Sequence, residues 1–280
     1  MTTPFMMPPA GFGPGSQPLA EDDEKLEYMP LPRDMRTYVP HVPEVAGLAG
    51  DVTPALDLLR RVAAACATAA QTGETAQFGL EGLDPASLQV IKETLGEGEV
   101  AAKVRAVPAI AVQESVFAGV WRLSGVGVDC IEVAPVPGCM TRDAFAPRRN
   151  ALLAKAPMAP GVVNAPPLLV ELRDKSASWK PGADLHVVNL SLLPHTEEDL
   201  VWLDQALGEG AVTILSRGYG NCRVTATALP HVWRVQFFNS MDVLILDTFE
   251  VTEIPEVALA APEDLSDSSA RIGQVIEAIS

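Results

Sequence analysis

Apolar residues along the chain follow first a helical spacing and then a strand spacing. After Thr53-Pro54, five of them recur three or four positions apart and predict a helix with one buried face: Leu56, Leu59, Ala63, Cys66 and Ala70. A short strand is expected at 76–80. A second helix is predicted from the N-cap Asp84 to Gly96, with Leu88, Ile91 and Leu95 as its apolar stripe. Strand-forming runs then occupy 100–107, 112–116 and 120–123.

The same order of elements recurs in the second half of the chain. LGEGEV at 95–100 matches LGEGAV at 207–212, and VWR at 120–122 matches VWR at 232–234, so both pairs are offset by 112 residues. The second copy predicts helices from Pro166-Pro167 and from the N-cap Thr196, then four further strand runs. Beyond its tryptophan it gains six residues in a hairpin, after which Asp129 corresponds to Asp247. The chain is therefore a tandem duplication.

Strands clustered after helices are typical of an α+β fold with a mainly antiparallel sheet, here built from two pseudo-symmetric modules. We expect copy 1 at 51–138, a linker at 139–162 and copy 2 at 163–256. A polar linker and a short terminal helix from Ala270 fill 257–280. Residues 1–50 are rich in proline and carry an acidic cluster, which predicts a largely disordered arm.

Charge and composition exclude several classes of function. The net charge of −16 opposes binding to nucleic acid, and no apolar run is long enough for membrane insertion, so a cytoplasmic protein is expected. The four cysteines form no CxxC pair, which argues against a disulfide framework and against a zinc ribbon. No histidine has HExxH spacing. We therefore expect no resident metal, no cofactor and no catalytic residues.

Residues that both copies retain are expected to be structural. Glycines in the two GEG motifs follow a helix instead of opening one, so they predict left-handed helix ends and tight turns rather than a phosphate site. The repeated tryptophans are expected to be core anchors, and the arginines after them to face outward and pair with Glu114 or Asp129. These repeat anchors are Gly96, Gly98, Trp121, Arg122, Gly208, Gly210, Trp233 and Arg234.

The copies diverge most between 216 and 223. Copy 1 has the apolar run VRAVPAIA at 104–111, whereas copy 2 has SRGYGNCR. One interpretation is a tight turn that needs positive φ; the other is a recognition loop with two arginine forks and a reactive thiol. Both stay open, and the thiol allows two further hypotheses: a nucleophile site of Cys222, His231 and Asp242, or a metal ligand. The loop residues are Arg217, Gly218, Tyr219, Gly220, Asn221, Cys222 and Arg223.

Long stretches of the chain resemble one family. ILSRGYGNCRV, VWRVQFFNSMDVLILDTFEVTEIPEVA, ESVFAGVWR and VVNLSLLPHTEEDLVWLDQALGEGAV are similar to the HupH/HyaF hydrogenase expression and formation proteins. The resemblance implies an accessory protein, not an enzyme, that acts as a chaperone in the maturation of nickel-iron uptake hydrogenases. It implies as partner the hydrogenase small-subunit precursor, before assembly and export, with other hydrogenase accessory proteins as a second class.

The departures of copy 2 from copy 1 give candidate positions for contact with the client. The divergent loop 217–223 and the inserted hairpin residues Asn239, Ser240 and Asp242 are candidate partner-binding positions, with Asp247 as a candidate framework position. A rival interpretation is a metal or iron-sulfur handling assembly factor in which Cys222 is a ligand. The sequence leaves open which surface binds the client and which oligomeric state the protein adopts.

Overall fold

The computed structural model describes residues 51–217 and 221–279, so the predicted N-terminal arm and Gly218, Tyr219 and Gly220 lie outside the described residues. Copy 1 has the two helices and four strands that were predicted, in that order, and a fifth, final strand that was not. They are α1 Thr53–Thr72, β1 Ala76–Gly79, α2 Pro85–Leu95, β2 Val100–Val104, β3 Ile110–Glu114, β4 Val120–Gly125 and β5 Val128–Val133.

A short helix, α3 Gly138–Arg142, leads into copy 2, which repeats that order and is followed by a terminal helix. The elements are α4 Ala165–Ser178, β6 His186–Asn189, α5 Glu197–Leu207, β7 Val212–Ser216, β8 Asn221–Ala226, β9 Val232–Phe238, β10 Leu244–Val251 and α6 Pro262–Ile279. Single 3-10 turns lie at Leu153–Lys155, Leu190–Leu192 and Glu256–Ala258.

Within the described residues, the ten strands form a single antiparallel sheet in the order β1-β5-β4-β3-β2-β7-β8-β9-β10-β6. Each copy contributes five consecutive strands, and the second five repeat the arrangement of the first in reverse. The copies meet where β2 pairs with β7, with Val100 opposite Ser216 and Val104 opposite Val212. This arrangement confirms the predicted α+β fold with a large antiparallel sheet.

Both faces of the sheet are covered, one by helices over each copy and the other by a core at its centre. Val120 packs in one core and Trp121 in another, and successive strand residues point to opposite faces. One face carries α1, α2 and α6 over copy 1, and α4 and α5 over copy 2. The opposite face holds a central core that includes both repeated tryptophans and is closed by α3 and the turn at Glu256–Ala258.

The second helix of each copy begins with a side-chain cap, as predicted, but the capping residues differ: an aspartate in copy 1 and a threonine in copy 2. Asp84 accepts from the backbone N–H of Ser87, whereas Thr196 accepts from that of Asp199, whose carboxylate accepts in return from the Thr196 N–H. Asp199 also accepts from the N–H of Ala165 at the start of α4. A single buried carboxylate therefore holds the beginnings of two helices together.

The helix ends differ from the prediction in one respect. Gly96 and Gly208 have φ of 54° and 68°, but their ψ values of −157° and −165° are extended, so they are not left-handed helical residues. The prediction of a left-handed cap was therefore wrong in ψ. At Gly208 a neighbouring segment approaches so closely that glycine is needed, because a Cβ there would lie 2.4 Å from the Arg149 carbonyl oxygen.

Two segments expected as linkers contribute to packing. The first, at 139–162, contains most of α3 and places Met140 in the central core. The terminal helix α6 begins at Pro262, not Ala270, and so includes the acidic residues expected in a polar linker. The local sequence does not reveal the contact between α6 and α1, because the two helices are far apart in the chain. Four buried apolar residues of α6 pack in the core that contains α1. They are Leu265, Ile272, Val275 and Ile276.

Candidate functional site

Two segments peculiar to copy 2 meet at one end of its strands. Asn221, the first residue of β8, pairs with Phe238 at the end of β9, just before the inserted turn. The side-chain amide of Asn221 donates to the Asp242 carboxylate at 3.0 Å, linking positions 21 residues apart. Asn221 from the loop and Asp242 from the hairpin are therefore neighbours in space.

Asn239 shapes the inserted turn. Its side-chain carbonyl accepts from the backbone N–H of Met241 at 2.9 Å and of Val243 at 3.0 Å, while its own N–H donates to the Val243 carbonyl. Asp242 has a φ of 57°, a conformation that Asn and Asp tolerate better than most residues. Asn239 is thus a framework residue of the hairpin, whereas Ser240 is exposed at its tip.

The hairpin exposes an apolar surface that the sequence analysis did not single out. Met241 is 77% exposed, and it is followed by three more exposed aliphatic side chains: Val243, Leu244 and Ile245. The run MDVLIL could have indicated this surface, because five of its six residues are apolar although the run lies at a turn. The equivalent turn of copy 1 is short, because β4 ends at Gly125 and β5 begins at Val128. Its one exposed aliphatic side chain is that of Val126.

A depression of about 450 Å³ lies beside this hairpin. Its wall includes the candidate residues Arg217, Asn221 and Arg223 together with Phe238 and Asp242. The Arg223 guanidinium lies 5.5 Å from the centre of the Phe238 ring, a distance at which a cation is attracted to the aromatic face. The depression therefore combines guanidinium groups, an amide and a carboxylate at the edge of an apolar surface.

Cys222 also lines this depression, but its side chain packs in the central core. Its side chain is buried, and burial, with the Glu250 carboxylate nearby, raises the pKa of the thiol to about 11. A thiol in that state is a poor nucleophile and a poor ligand at neutral pH. Among residues 51–217 and 221–279, no three His, Cys, Asp or Glu side chains are grouped as metal ligands.

His231 lies at the opposite end of the β8–β9 hairpin from Cys222. It stacks on Trp179 with ring centroids 3.7 Å apart, and burial lowers the pKa of its imidazole. Cys222 instead lies opposite Phe237, and Asp242 bonds to Asn221. The hypothesis of a nucleophile site formed by Cys222, His231 and Asp242 is therefore wrong, because the three side chains are not brought together.

The two repeated tryptophans lie in the central core of the sheet. Trp121 and Trp233 are fully buried, and their indole N–H groups donate to the carbonyl oxygens of Ala134 and Glu253. The arginines that follow lie on the face that carries the helices. Arg122 approaches Asp129 at 3.7 Å, and Arg234 forms a close pair with Asp247. Glu114 is buried on the other side of the sheet and does not pair with them.

No helix in the described parts of the chain combines the length and apolarity needed to cross a bilayer.

Comparison with known proteins places these features in a family. The HupH hydrogenase expression protein, C-terminal conserved region, matches residues 52–143 and 162–279, so the match extends over both copies. The hydrogenase expression/formation protein HupH of Rhodobacter capsulatus is 61% identical over 279 residues, and the alignment covers 100% of both chains. The hydrogenase-1 operon protein HyaF of Escherichia coli (strain K12) is 30% identical over 283 residues, which cover 95% of this chain and 94% of HyaF.

A solved structure of the hydrogenase expression protein HupH from Thiobacillus denitrificans ATCC 25259 is 29% identical, with a TM-score of 0.37, over 41% of this chain and 95% of that one. The full-length similarity to the curated relatives and the match to both copies agree with each other. The chain belongs to the HupH family of hydrogenase expression/formation proteins.

Proposed function

We propose that this protein is a non-catalytic accessory factor in the maturation of a nickel-iron uptake hydrogenase, and that it binds the small-subunit precursor in the cytoplasm before assembly and export. The names of its relatives support the maturation role. One observation supports a binding function: the inserted hairpin of copy 2 exposes a group of aliphatic side chains beside a polar depression. Exposed apolar groups of this kind, rimmed by polar residues, mark interaction sites.

The two halves of this surface suit an unfolded or extended client. Met241, Val243 and Ile245 offer apolar area for client side chains. Arg217 and Arg223 at the rim present guanidinium donors that fit carbonyl or carboxylate groups of a client backbone or side chain. Because copy 1 has neither the insertion nor the loop, we assign binding to copy 2 and scaffolding to the features that both copies share.

A binding assay with purified full-length protein and the small-subunit precursor tests this assignment. The double variant Met241→Asp with Ile245→Asp places charges on the apolar surface, and we expect it to weaken binding at least tenfold while the protein stays folded. Val126→Asp is the matched control, because Val126 is the exposed aliphatic residue of the equivalent turn in copy 1. Crosslinks from the precursor should map to 217–223 and 239–245.

Unchanged binding in the double variant, or an equal loss in Val126→Asp, would contradict the assignment to the copy-2 hairpin. Failure of wild-type protein to bind the precursor, with or without its signal peptide, would contradict the proposed partner. The rival function as a metal or iron-sulfur handling factor requires Cys222 as a ligand. Its buried thiol disfavours that role, and a Cys222→Ser variant that still supports hydrogenase maturation would exclude it.

A further inference from the structure

Each copy has a cleft between its second helix and the sheet, and the two clefts occupy equivalent places. The cleft of copy 1 lies between α2 and strands β3 to β5 and has a volume of about 600 Å³. The cleft of copy 2, between α5 and strands β8 to β10, has a volume of about 230 Å³. The duplication therefore supplies an internal comparison of an open cleft with a largely filled one.

The same arginine lies on the floor of both clefts but has different partners. In copy 2, Arg234 donates through Nε to one carboxylate oxygen of Asp247 at 2.9 Å and through Nη2 to the other at 2.5 Å. In copy 1, Asp129 approaches Arg122 through one contact of 3.7 Å, which is too long for a hydrogen bond. The Arg122 Nε is buried and has no hydrogen-bond partner among the residues that the structure describes.

Side-chain size explains why one cleft is open. Strand pairing places Ser124 beside Asp129 where copy 2 has Gln236 beside Asp247. Ala111 likewise corresponds to Arg223, because the two are 112 residues apart and each lies on the third strand of its copy. Two short side chains in copy 1 thus replace two long ones.

The walls of the two clefts carry opposite charges at one position. Lys92 on α2 takes the place of Asp204 on α5, and each lines its own cleft. In copy 2, Asp204 forms an ion pair with Arg149 at 2.8 Å. The open cleft therefore has a lysine on its wall and an incompletely bonded guanidinium on its floor, next to the aliphatic residues Leu88, Ile91 and Leu95. The carboxylates of Glu97 and Asp129 also line it, so the cleft holds two cations and two anions before a ligand enters.

From this comparison we infer that the copy-1 cleft is a binding site for a carboxylate attached to an apolar body. The carboxylate of the ligand accepts from Nε and one Nη nitrogen of a turned Arg122 guanidinium, as Asp247 does from Arg234. Asp129, which corresponds to Asp247, stays too far from Arg122 for a hydrogen bond. Two parallel N–H···O bonds are the geometry that guanidinium groups favour with carboxylates. The apolar body packs along α2, and Lys92 adds a positive charge near the opening. This site is separate from the copy-2 hairpin and does not depend on the proposed function.

Nuclear magnetic resonance of the full-length protein can follow the arginine Nε–H groups directly, with Arg122→Gln identifying the Arg122 signal. Hexanoate is the first probe, and hexanamide is its uncharged analogue. We expect a saturable shift of the Arg122 Nε–H signal with hexanoate and at least a tenfold weaker response with hexanamide. Lys103→Gln is the matched control, because Lys103 is an exposed cation on β2 opposite Ala111 and outside the cleft.

A second variant fills the cleft with the residues of copy 2, Ala111→Arg with Ser124→Gln, and it should abolish the shift while the protein remains folded. Two peptides distinguish sources of the same chemistry: acetyl-Leu-Leu-Leu with a free carboxyl terminus, and acetyl-Leu-Leu-Glu-Leu-amide with a side-chain carboxylate. Binding of any carboxylate probe that requires Arg122 supports the site and identifies the source. Three results would overturn it. They are equal responses to hexanoate and hexanamide, a loss of the shift in Lys103→Gln as large as in the filled-cleft variant, and no saturable shift with any probe.

Discussion

Ala102 and Ile214 lie directly opposite each other where β2 pairs with β7, and they are the same position of the two copies. The pseudo-twofold axis of the duplication therefore passes between these two residues. On either side of them the pairing is symmetric, with Val100 and Val104 opposite Ser216 and Val212. The two copies thus share one sheet and one central core instead of forming separate domains.

This shared sheet predicts that the protein unfolds as one unit. Ile214 is fully buried in the central core, so Ile214→Ala removes buried methyl groups and leaves a cavity that should cost about 2 to 5 kcal/mol in the free energy of unfolding. Urea unfolding followed by tryptophan fluorescence and by circular dichroism should give one coincident transition. Leu215→Ala is the control, since Leu215 is exposed on the other face, and it should change stability little. Two resolved transitions would contradict a single cooperative unit.

Asp199 predicts a loss of stability in acid. Burial by itself raises the pKa of this carboxyl, but the backbone N–H groups of Thr196, Ala165, Val163 and Asn164 lower it to about 2. Because the folded-state pKa is depressed, the stabilisation is present above the ordinary Asp range near 4. It is lost as the pH falls through that range toward 2.

Asp199→Ala should therefore cost about 2 to 4 kcal/mol at pH 7, because it leaves several N–H groups at two helix starts without an acceptor. The difference between variant and wild type should shrink as the pH approaches 2. Urea unfolding at pH 7, 4 and 2.5 measures it, with the exposed neighbour Glu197→Ala as the control. A difference that does not change with pH would show that the charge of Asp199 is not the cause.

Local signals in the sequence predicted more of this fold than long-range ones did. Thr196 and Asp199 could be identified as a cap because the hydrogen bonds join residues three positions apart. The seam between Ala102 and Ile214, and the docking of α6 on α1, join residues far apart in the chain, and nothing local specifies them.

The candidate site divides in the same way. Its loop and hairpin were predicted from the departures of copy 2, and the contact of Asn221 with Asp242 brings them together. The burial of Cys222 was not predictable, because alternation along β8 gives it a face of the sheet but not the core that covers that face.

The position of Cys222 predicts low chemical reactivity. Its thiol is buried and its pKa is raised to about 11, so little thiolate forms at pH 8. Iodoacetamide should label Cys130 first, because Cys130 is the partly exposed member of the four cysteines. Mass spectrometry of the digested protein should find Cys222 labelled only after unfolding. Labelling of Cys222 in the native protein as fast as Cys130 would contradict its place in the core.

Glu114 predicts the opposite pH dependence to Asp199. Its side chain is buried, and burial, together with the carboxylates of Glu99 and Asp264, raises its pKa to about 7 despite a hydrogen bond from the Gly119 N–H. Because the folded state then binds more protons than the unfolded state, stability falls as the pH rises from about 4.5 to 7 and stays lower above that range.

Glu114→Gln keeps an acceptor for the Gly119 N–H and removes the buried charge. It should leave stability nearly unchanged at pH 5 and raise the free energy of unfolding at pH 8 by up to about 3 kcal/mol, the equivalent of a shift of roughly two pKa units. Urea midpoints at the two pH values measure this, and Glu97→Gln, on an exposed residue, should show no such gain. If Glu114→Gln were less stable than wild type at pH 8, the carboxylate would be bound to a compensating cation, and the raised pKa would be wrong.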